Sequence, residues 1–463
     1  MFRTVKKVHF VGIGGIGMSG IAELLINLDF QITGSDLNDS ELIRHLKSKG
    51  ATISKGHHAK NLTDADVLVY SSAVKQDNPE IVEAVKRGIP VIRRAEMLGE
   101  LIAVKETSIG VGGTHGKTST SFMIGNVLSA AEIDPTLVVG GLVKTLGTNS
   151  ILGAGDTIVV EADEYDRSFL ALRPTISVIT NIELEHTDCY ESLEDLQNAF
   201  IQFSNSVPFY GVVIACIDSP SVRKILPEVK RPIITYGISE NTMFRAVDIS
   251  FLENSARFTV NQRGEKLGEV TLNVPGEHNV LNSLAAIALG IEMGIPFNTI
   301  AEGLETYSGV RRRFETKGIV NDIMVIDDYA HHPTEVLATL QAAKSGWSRR
   351  IIAVFQPHLY SRTRDFHQDF AKAFLDSDVL IVTDIYPARE ESIPGITGEL
   401  VSNAAKKLGH PNVQFLKHLD DLSTHIETVA QPGDMIITMG AGTIWRYSET
   451  LVEHLTNYFN HVD

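Results

Sequence analysis

The stretch Val8-His9-Phe10-Val11-Gly12-Ile13-Gly14-Gly15-Ile16-Gly17 decides the fold class. Lys7–Val11 is an apolar run of strand type, residues 18–28 carry helical spacing, and the glycines between them fall in the pattern G-x-G-x-x-G. Strand, glycine turn and helix in that order open a βαβ unit. Glycines let the backbone approach a pyrophosphate, and the free N–H groups of a helix start supply positive potential. Residues 30–34 read as a second strand. Asp36, in Gly34-Ser35-Asp36, stands where an acid reaches a ribose. The ligand class is a pyrophosphate; NAD, FAD and UDP-sugars all carry one. The same glycines argue against a secretory signal over residues 1–28, although Arg3, Lys6 and Lys7 precede them.

A second glycine loop, Gly112-Gly113-Thr114-His115-Gly116-Lys117-Thr118, follows an apolar run at 107–111 and leads into a helical pattern over 117–131. It reads as a P-loop, with Lys117 reaching the β/γ-phosphates of a nucleotide and the Thr118 hydroxyl ligating Mg²⁺. Strict spacing wants glycine at position 111, where Val111 stands, so the loop is expected to be one residue tighter. A second metal ligand is expected at the end of a neighbouring strand. Glu161, in Val160-Glu161-Ala162-Asp163-Glu164, fits best, with Asp163 and Glu164 as alternatives. Thr180-Asn181-Ile182-Glu183-Leu184-Glu185-His186 ends another strand with polar groups. There His186 is a ligand to a second Mg²⁺, a phosphate contact or a structural residue. A dehydrogenase uses only the first loop and a simple ATPase only the second. Together they point to a diphosphate-bearing substrate with ATP as the energy source.

The chain has 463 residues, a length that suits about three domains at roughly 150 residues each. Residues 157–161 and 175–180 read as strands and 193–205 as a helix. Residues 245–252, 256–262 and 269–274 alternate apolar and polar side chains and read as an antiparallel patch. A helix is expected over 278–292. After Gly309, strands at 323–327, 351–355, 379–383 and 435–439 alternate with helices at 334–344, 363–375, 399–408 and 444–455. Gly409 stops the third of these helices. Such alternation implies parallel sheets covered on both faces. The expected domains are residues 1–104, 105–308 and 309–463. Acidic residues outnumber basic ones by 57 to 41, which excludes a protein whose main task is to coat nucleic acid. Two cysteines, Cys189 and Cys216, cannot form a disulfide framework and suit a reducing cytoplasm. No apolar run of transmembrane length occurs, so membrane insertion is not expected.

Further motifs complete the inventory: Gly276-Glu277-His278-Asn279 with Asn282, Arg312-Arg313-Phe314, Asp327-Asp328-Tyr329-Ala330-His331-His332-Pro333 and Phe355-Gln356-Pro357-His358. With the two glycine loops and Val160–Glu164, their order along essentially the whole chain resembles the Mur ligases. The resemblance implies an α/β fold of three domains: N-terminal Rossmann-like UDP-binding, central P-loop ATPase-like and C-terminal Rossmann-like. It implies the alanine-adding branch, whose carbamylated-lysine-free metal site agrees with this sequence. There the carboxylate of UDP-N-acetylmuramate attacks the γ-phosphorus of ATP. The amine of L-alanine takes the resulting acyl phosphate, in a cytoplasmic step of peptidoglycan synthesis.

The resemblance also implies residue roles. Gly12, Gly14, Gly15, Gly17, Met18, Ser19, Asp36, Ser71 and Ser72 fall to the UDP-sugar. Gly113, Thr114, His115, Gly116, Lys117, Thr118, Ser119, His278, Asn279, Asn282 and Asp328 fall to ATP. Thr118 and Glu161 hold one Mg²⁺, and His186 with Glu161 a second. Arg313 lies near the substrate carboxylate and His331 near the phosphate or acyl phosphate. His358 and Arg362 take the alanine side. Relatives carry arginine after that histidine where this chain has Leu359, so Arg362 and Arg389, in Tyr386-Pro387-Ala388-Arg389-Glu390, become the expected carboxylate clamp. A ligase adding a whole tripeptide to the same sugar shares the P-loop, but its first loop reads Gly-x-Cys-Gly-x-Phe. A folate-polyglutamylating enzyme has no use for the UDP domain, and a nucleotide-sensing regulator has none for paired metal ligands or His331.

Overall fold

A computed structural model describes residues 5–71, 73–140, 150–185, 189–388 and 390–462. The chain forms two compact units. The first comprises Met1–Asp248, Phe258–Thr271 and Val280–Tyr307; the second comprises Ile249–Arg257, Leu272–Asn279 and Ser308–Asp463.

In the first unit, strands β1 (Lys7–Val11), β2 (Gln31–Asp36), β3 (Thr52–Lys55), β4 (Val67–Tyr70) and β5 (Val91–Arg93) make a parallel sheet in the order β3-β2-β1-β4-β5. The order reverses direction between β1 and β4, and ligands of open α/β sheets bind outside the carboxyl ends at such a switch point. Phe10 and Val69 are fully buried, as a sheet covered on both faces requires. The sequence reading passed over the helices Glu41–Ser48 and Pro79–Arg87, yet both carry start signals. Ser40 accepts a hydrogen bond from the Ile43 N–H, and Asn78 caps a helix whose first residue is Pro79. The first helix, Ile16–Asn27, starts two residues earlier than expected, directly on the glycine turn.

The next sheet contains β6 (Thr107–Gly112), β7 (Thr136–Val138), β8 (Ser150–Ile151), β9 (Thr157–Ala162), β10 (Ile176–Ile179), β11 (Val212–Cys216), β12 (Ile233–Gly237), β13 (Phe244–Leu252), β14 (Ser255–Gln262) and β15 (Glu265–Leu272). Their order is β15-β14-β13-β12-β11-β10-β6-β9-β7-β8. β6 lies in parallel between β10 and β9. Two-residue turns join β13 to β14 and β14 to β15, as antiparallel pairing allows. β15 ends at Leu272, two residues short of the expected end. β11 and β12 were missed because a short buried apolar run carries no period to mark it.

The second unit holds β16 (Glu315–Val320), β17 (Ile323–Asp328), β18 (Ile351–Phe355), β19 (Val379–Thr383), β20 (Val413–Leu416) and β21 (Met435–Met439) in the order β16-β17-β21-β18-β19-β20. Only β16 pairs antiparallel, with β17; the other four pairings are parallel. Leu340, Phe355, Phe370 and Ile437 belong to the core on one face of this sheet, and Ile352, Ile381 and Leu451 to the other. Gly409 ends the helix Glu399–Lys407 with φ +85°, as its sequence position indicated. Among the described residues no helix is long and apolar enough to cross a membrane.

Candidate active site

The first glycine loop lies at the β1/β4 switch point. The N–H groups of Gly12 and Ile13 donate to the Ser35 carbonyl at 2.9 and 3.2 Å. Gly12 adopts φ +78°. Asp36 fixes the loop: its Oδ2 accepts from the Gly14 N–H at 2.9 Å and its Oδ1 from the Asn38 N–H at 3.0 Å. A methyl group on Gly14 would approach Ile43 Cδ1 to 2.8 Å, and one on Gly17 would approach Arg94 Nη1 to 2.7 Å. Gly15 is the N-cap and offers no capping side chain, so the helix start faces the loop undecorated. Ser71 follows β4 and donates its N–H to Val11 at 3.3 Å, which places it beside the loop. Met18 lies against the loop, where a methyl group on Gly15 would be 3.9 Å from its Cγ; Met18 and Ser19 are both buried, and both amides bond the Gly15 carbonyl within the first turn. Ser72 lies outside the described residues.

In the second loop, β6 runs through Val111 to Gly112, so the turn is the tighter one expected. Gly113 has φ +138° and Gly116 φ +85°. The end of β10 braces the turn. Asn181 accepts from the His115 N–H at 2.8 Å through Oδ1 and donates Nδ2–H to the His115 carbonyl at 3.0 Å, and its own carbonyl accepts from the Thr114 N–H at 3.0 Å. The Thr180 hydroxyl donates to the same His115 carbonyl at 2.6 Å. Thr114 exchanges two hydrogen bonds with the Glu183 backbone. Ser119 is buried in the helix Lys117–Ala130. Asn282 lies beside Gly116: a methyl group there would sit 2.6 Å from Asn282 Oδ1. Asn279 donates to the Pro275 carbonyl at 2.7 Å and, in the helix Glu277–Glu292, shares a helix face with Asn282.

Lys117 Nζ donates to the carbonyls of Gly113 and Thr114 at 2.6 and 3.2 Å and to Glu164 Oε2 at 2.7 Å. Burial alone would lower its pKa, but Glu164 and Asp163 outweigh it and raise the value, so the ammonium stays charged. Glu161 holds its carboxyl against Thr118, from which it accepts a hydrogen bond; burial pushes its pKa up in spite of that bond. Glu161 Oε1 is buried and has no hydrogen-bond partner among the described residues. An orphaned carboxylate oxygen beside a hydroxyl is a donor set that suits Mg²⁺, a hard cation with oxygen ligands. His186 lies outside the described residues.

The second unit gathers its polar groups at the carboxyl ends of β17, β18 and β19. Arg312 pairs with Asp327 at 3.0 Å and donates to the Gly440 carbonyl at 2.6 Å, so it is anchored. Arg313 lies 5.3 Å from the Tyr329 ring centroid and 3.5 Å from Glu335. Glu335 also accepts from the His331 N–H at 3.0 Å, and His331 Nδ1 contacts the Tyr329 carbonyl at 2.9 Å. The His331 ring packs edge-on to His358, which stacks on Tyr386 with both centroid distances 5.9 Å. Arg362 Nη1 is 3.4 Å from His358 Nδ1. Leu359 takes φ +69° at the start of the helix Tyr360–Ala373, backbone that L side chains rarely adopt. Asp328 accepts from the N–H groups of Phe314 and Ala330, both at 2.7 Å, and burial pushes its pKa up to about 6. Arg389 lies outside the described residues.

His278 is part-buried against Arg313 and Glu335. Burial, with Arg313 adding to it and Glu335 opposing, pushes its pKa down to about 4 from an ordinary 6.5. A depressed value means stability that is present above pH 6.5 and lost as pH falls through about 4. Urea midpoints measured across that window should therefore fall with pH, and His278→Gln should flatten the slope. An unchanged slope in the variant would show that His278 does not carry this dependence.

Three family models match the chain in turn: Mur ligase family, catalytic domain, over residues 7–106; Mur ligase middle domain, over 111–290; and Mur ligase, glutamate ligase domain, over 312–442. The chain belongs to the Mur ligase family. Mur ligases catalyse ATP-dependent amide ligation in peptidoglycan synthesis. This Mur ligase is 51% identical over 456 residues to the UDP-N-acetylmuramate–L-alanine ligase of Geobacter sp. (strain M21), with 98% of this chain and 99% of that one covered. It is 50% identical to the enzyme of the same name from Salinibacter ruber, at 98% and 96% coverage. The structure of the UDP-N-acetylmuramate-alanine ligase MurC of Thermotoga maritima superposes with a TM-score of 0.82 at 31% identity, covering 98% of this chain and 99% of that one. A murein peptide ligase from Psychrobacter arcticus gives 0.69 at 29% identity, with the same coverage.

In this Mur ligase three residues, two in the first unit and one in the second, have contacts that the sequence does not announce. Glu164 was read as an alternative metal acid and is the counter-ion of Lys117. Asn181 was read only as part of a polar strand end and braces the P-loop. Glu335, which joins His331 to Arg313, was not singled out at all. The one signal for Glu335 was its spacing four residues after His331, on the first turn of the helix Pro333–Gly346.

Proposed function

We propose that this Mur ligase joins L-alanine to the carboxylate of UDP-N-acetylmuramate, in the cytoplasm, with ATP converted to ADP and phosphate. The observation that carries this reading is the presence of two separate glycine loops, each between a parallel strand and a helix start: Gly12–Gly17 at the switch point of one sheet and Gly113–Thr118 at the end of β6 in another. The names of its full-length relatives agree with it. The substrate carboxylate attacks the γ-phosphorus of ATP and ADP leaves. The amine of alanine then attacks the acyl phosphate carbonyl, and inorganic phosphate leaves. Both steps crowd negative charge, so positioned cations dominate the catalysis.

Lys117 would sit against the transferring phosphoryl group once its contact with Glu164 is exchanged for phosphate oxygens. Thr118 and Glu161 would hold Mg²⁺, and His186 with Glu161 a second ion. These cations would neutralise phosphate charge and let two anions approach. His278, Asn279 and Asn282 would take the adenine side, and Asp328 the ribose. Arg313 would face the muramate carboxylate, and His331 the acyl phosphate. His358, Arg362 and Arg389 would take alanine. We place the domain boundaries near residues 104 and 308.

ADP release with UDP-N-acetylmuramate should appear with L-alanine and not with the tripeptide of the recycling ligases. A preference for the tripeptide would overturn the proposal. Leu359 offers no charge to the amino acid's carboxylate, so Arg389→Ala should raise the KM for alanine by about tenfold, the effect of losing one charge-assisted hydrogen bond. An unchanged KM would remove Arg389 from the clamp.

A further inference from the structure

Glu80 is a fully buried carboxylate that the reaction does not use. It lies in the first turn of the helix Pro79–Arg87. Among the described residues no lysine or arginine pairs with it; four hydrogen bonds hold it instead. Oε2 accepts from the Ser35 hydroxyl at 2.6 Å and from His9 Nε2 at 3.0 Å. Oε1 accepts from the His58 N–H at 2.9 Å and from Asn61 Nδ2 at 2.7 Å. These donors come from β1, from β2 and from the segment that follows β3. Burial pushes the Glu80 pKa up, but the bonds from His9, Ser35, Asn61 and His58 outweigh it and the net shift is downward.

An ionised carboxylate accepts only, so the single hydroxyl proton of Ser35 points at Glu80. The Ser35 oxygen is then an acceptor towards its other neighbour, His57 Nδ1, at 2.8 Å. That contact requires Nδ1–H and makes Nε2 of the neutral ring a lone-pair acceptor. The His57 side chain is 17% exposed, whereas Ser35 and Glu80 behind it are fully buried.

The sheet topology says what passes there. On the proposed reading of this sheet as the UDP-sugar site, the loop after β1 takes the pyrophosphate and Asp36, at the end of β2, the ribose. The next loop outward is that of β3, where the Gly56 N–H is tied to the Asp36 carbonyl at 2.8 Å. The base of a nucleotide laid along this edge falls to that loop.

We propose that Glu80 is a positioning residue for the nucleotide base: through Ser35 it holds His57 with its Nε2 lone pair facing the base, a match for the N3–H of uracil and a mismatch for the N3 lone pair of cytosine. This inference rests on the reading of the N-terminal sheet as the UDP-sugar site.

The test begins with the full-length wild-type enzyme. Nitrogen-15 correlation spectra of the histidine rings, with the His57 signals assigned by their loss in His57→Gln, should show Nδ1–H and an unprotonated Nε2 at neutral pH. Wild-type enzyme should be inhibited more strongly by UDP than by CDP, and His57→Ala should lose most of that preference. Glu80→Gln, which puts amide protons where Ser35 and His9 donate, should raise the KM for UDP-N-acetylmuramate about tenfold. Its kcat and its KM values for ATP and alanine should stay within about twofold, a split that general loosening of the fold does not produce. An Nε2–H tautomer, or a UDP preference retained in His57→Ala, would overturn the inference while leaving the UDP-sugar site intact. Wild-type enzyme blind to UDP would overturn the site itself and the inference with it. If Glu80→Gln does not fold, the wild-type spectra and His57→Ala still decide.

Discussion

Lys117→Ala should abolish turnover and leave the UDP-sugar bound. Among the described residues Lys117 is the only lysine or arginine in the P-loop turn, and its Nζ already lies on the Gly113 and Thr114 carbonyls, where the loop can present it to a phosphate. Losing one preorganised charge of this kind costs about 10²–10³ in kcat or more. The variant carries a second consequence. Glu164, with 1% of its side chain exposed, loses its counter-ion. Removing one partner of a buried pair destabilises by about 3–5 kcal/mol, because the other charge stays buried. Loss of activity could then be loss of fold. Lys117→Met combined with Glu164→Gln removes both charges, so it should recover most of the stability and none of the turnover. Affinity for UDP-N-acetylmuramate, measured calorimetrically, should match wild type in both variants, because Gly12–Gly17 belongs to a different sheet. Near-normal kcat in Lys117→Ala would show that Gly112–Thr118 is not the phosphate loop.

The contrast between what the sequence disclosed and what it hid has a physical basis. Glycine loops are written locally. A positive φ, a strand before and a helix after leave their mark within about ten residues, which is why both loops were legible. Gly409 was legible for the same reason. Counter-ions and braces are written at long range. Glu164 is 47 positions from Lys117 and Asn181 is 66 from His115, and nothing in either neighbourhood names the other. The acid cluster Glu161–Glu164 illustrates the limit. Its acids stand out in the sequence, but what each one touches depends on which way each side chain leaves β9 and the turn after it. The structure turns Glu161 to Thr118 and Glu164 to Lys117. Leu359 is a further case: the absent charge was visible, while its left-handed backbone was not.

The brace behind the P-loop makes Gly113 the most sensitive backbone position in the site. A methyl group there would lie 2.0 Å from Thr180 Oγ1 and 3.0 Å from the Asn181 carbonyl, on a residue with φ +138°. Neither neighbour is free to give way, since Thr180 Oγ1 donates to the His115 carbonyl and the Asn181 carbonyl accepts the Thr114 N–H. The turn itself must therefore move. Amides that should converge on phosphate oxygens lose their aim, and a misplacement of about 1 Å costs about 10² in rate. Gly113→Ala should raise the KM for ATP at least about tenfold and lower kcat about a hundredfold, with backbone strain adding about 1–3 kcal/mol to the loss of stability. Two further variants separate the causes. Gly264→Ala, at φ +91° with nothing within 4 Å, should show the strain alone and full activity. Gly113→Ala combined with Thr180→Ala removes the hydroxyl in the way but not the strain or the Asn181 contact, so it should recover part of the ATP affinity. Wild-type ATP kinetics in Gly113→Ala would mean that the brace from the end of β10 does not set the loop's geometry.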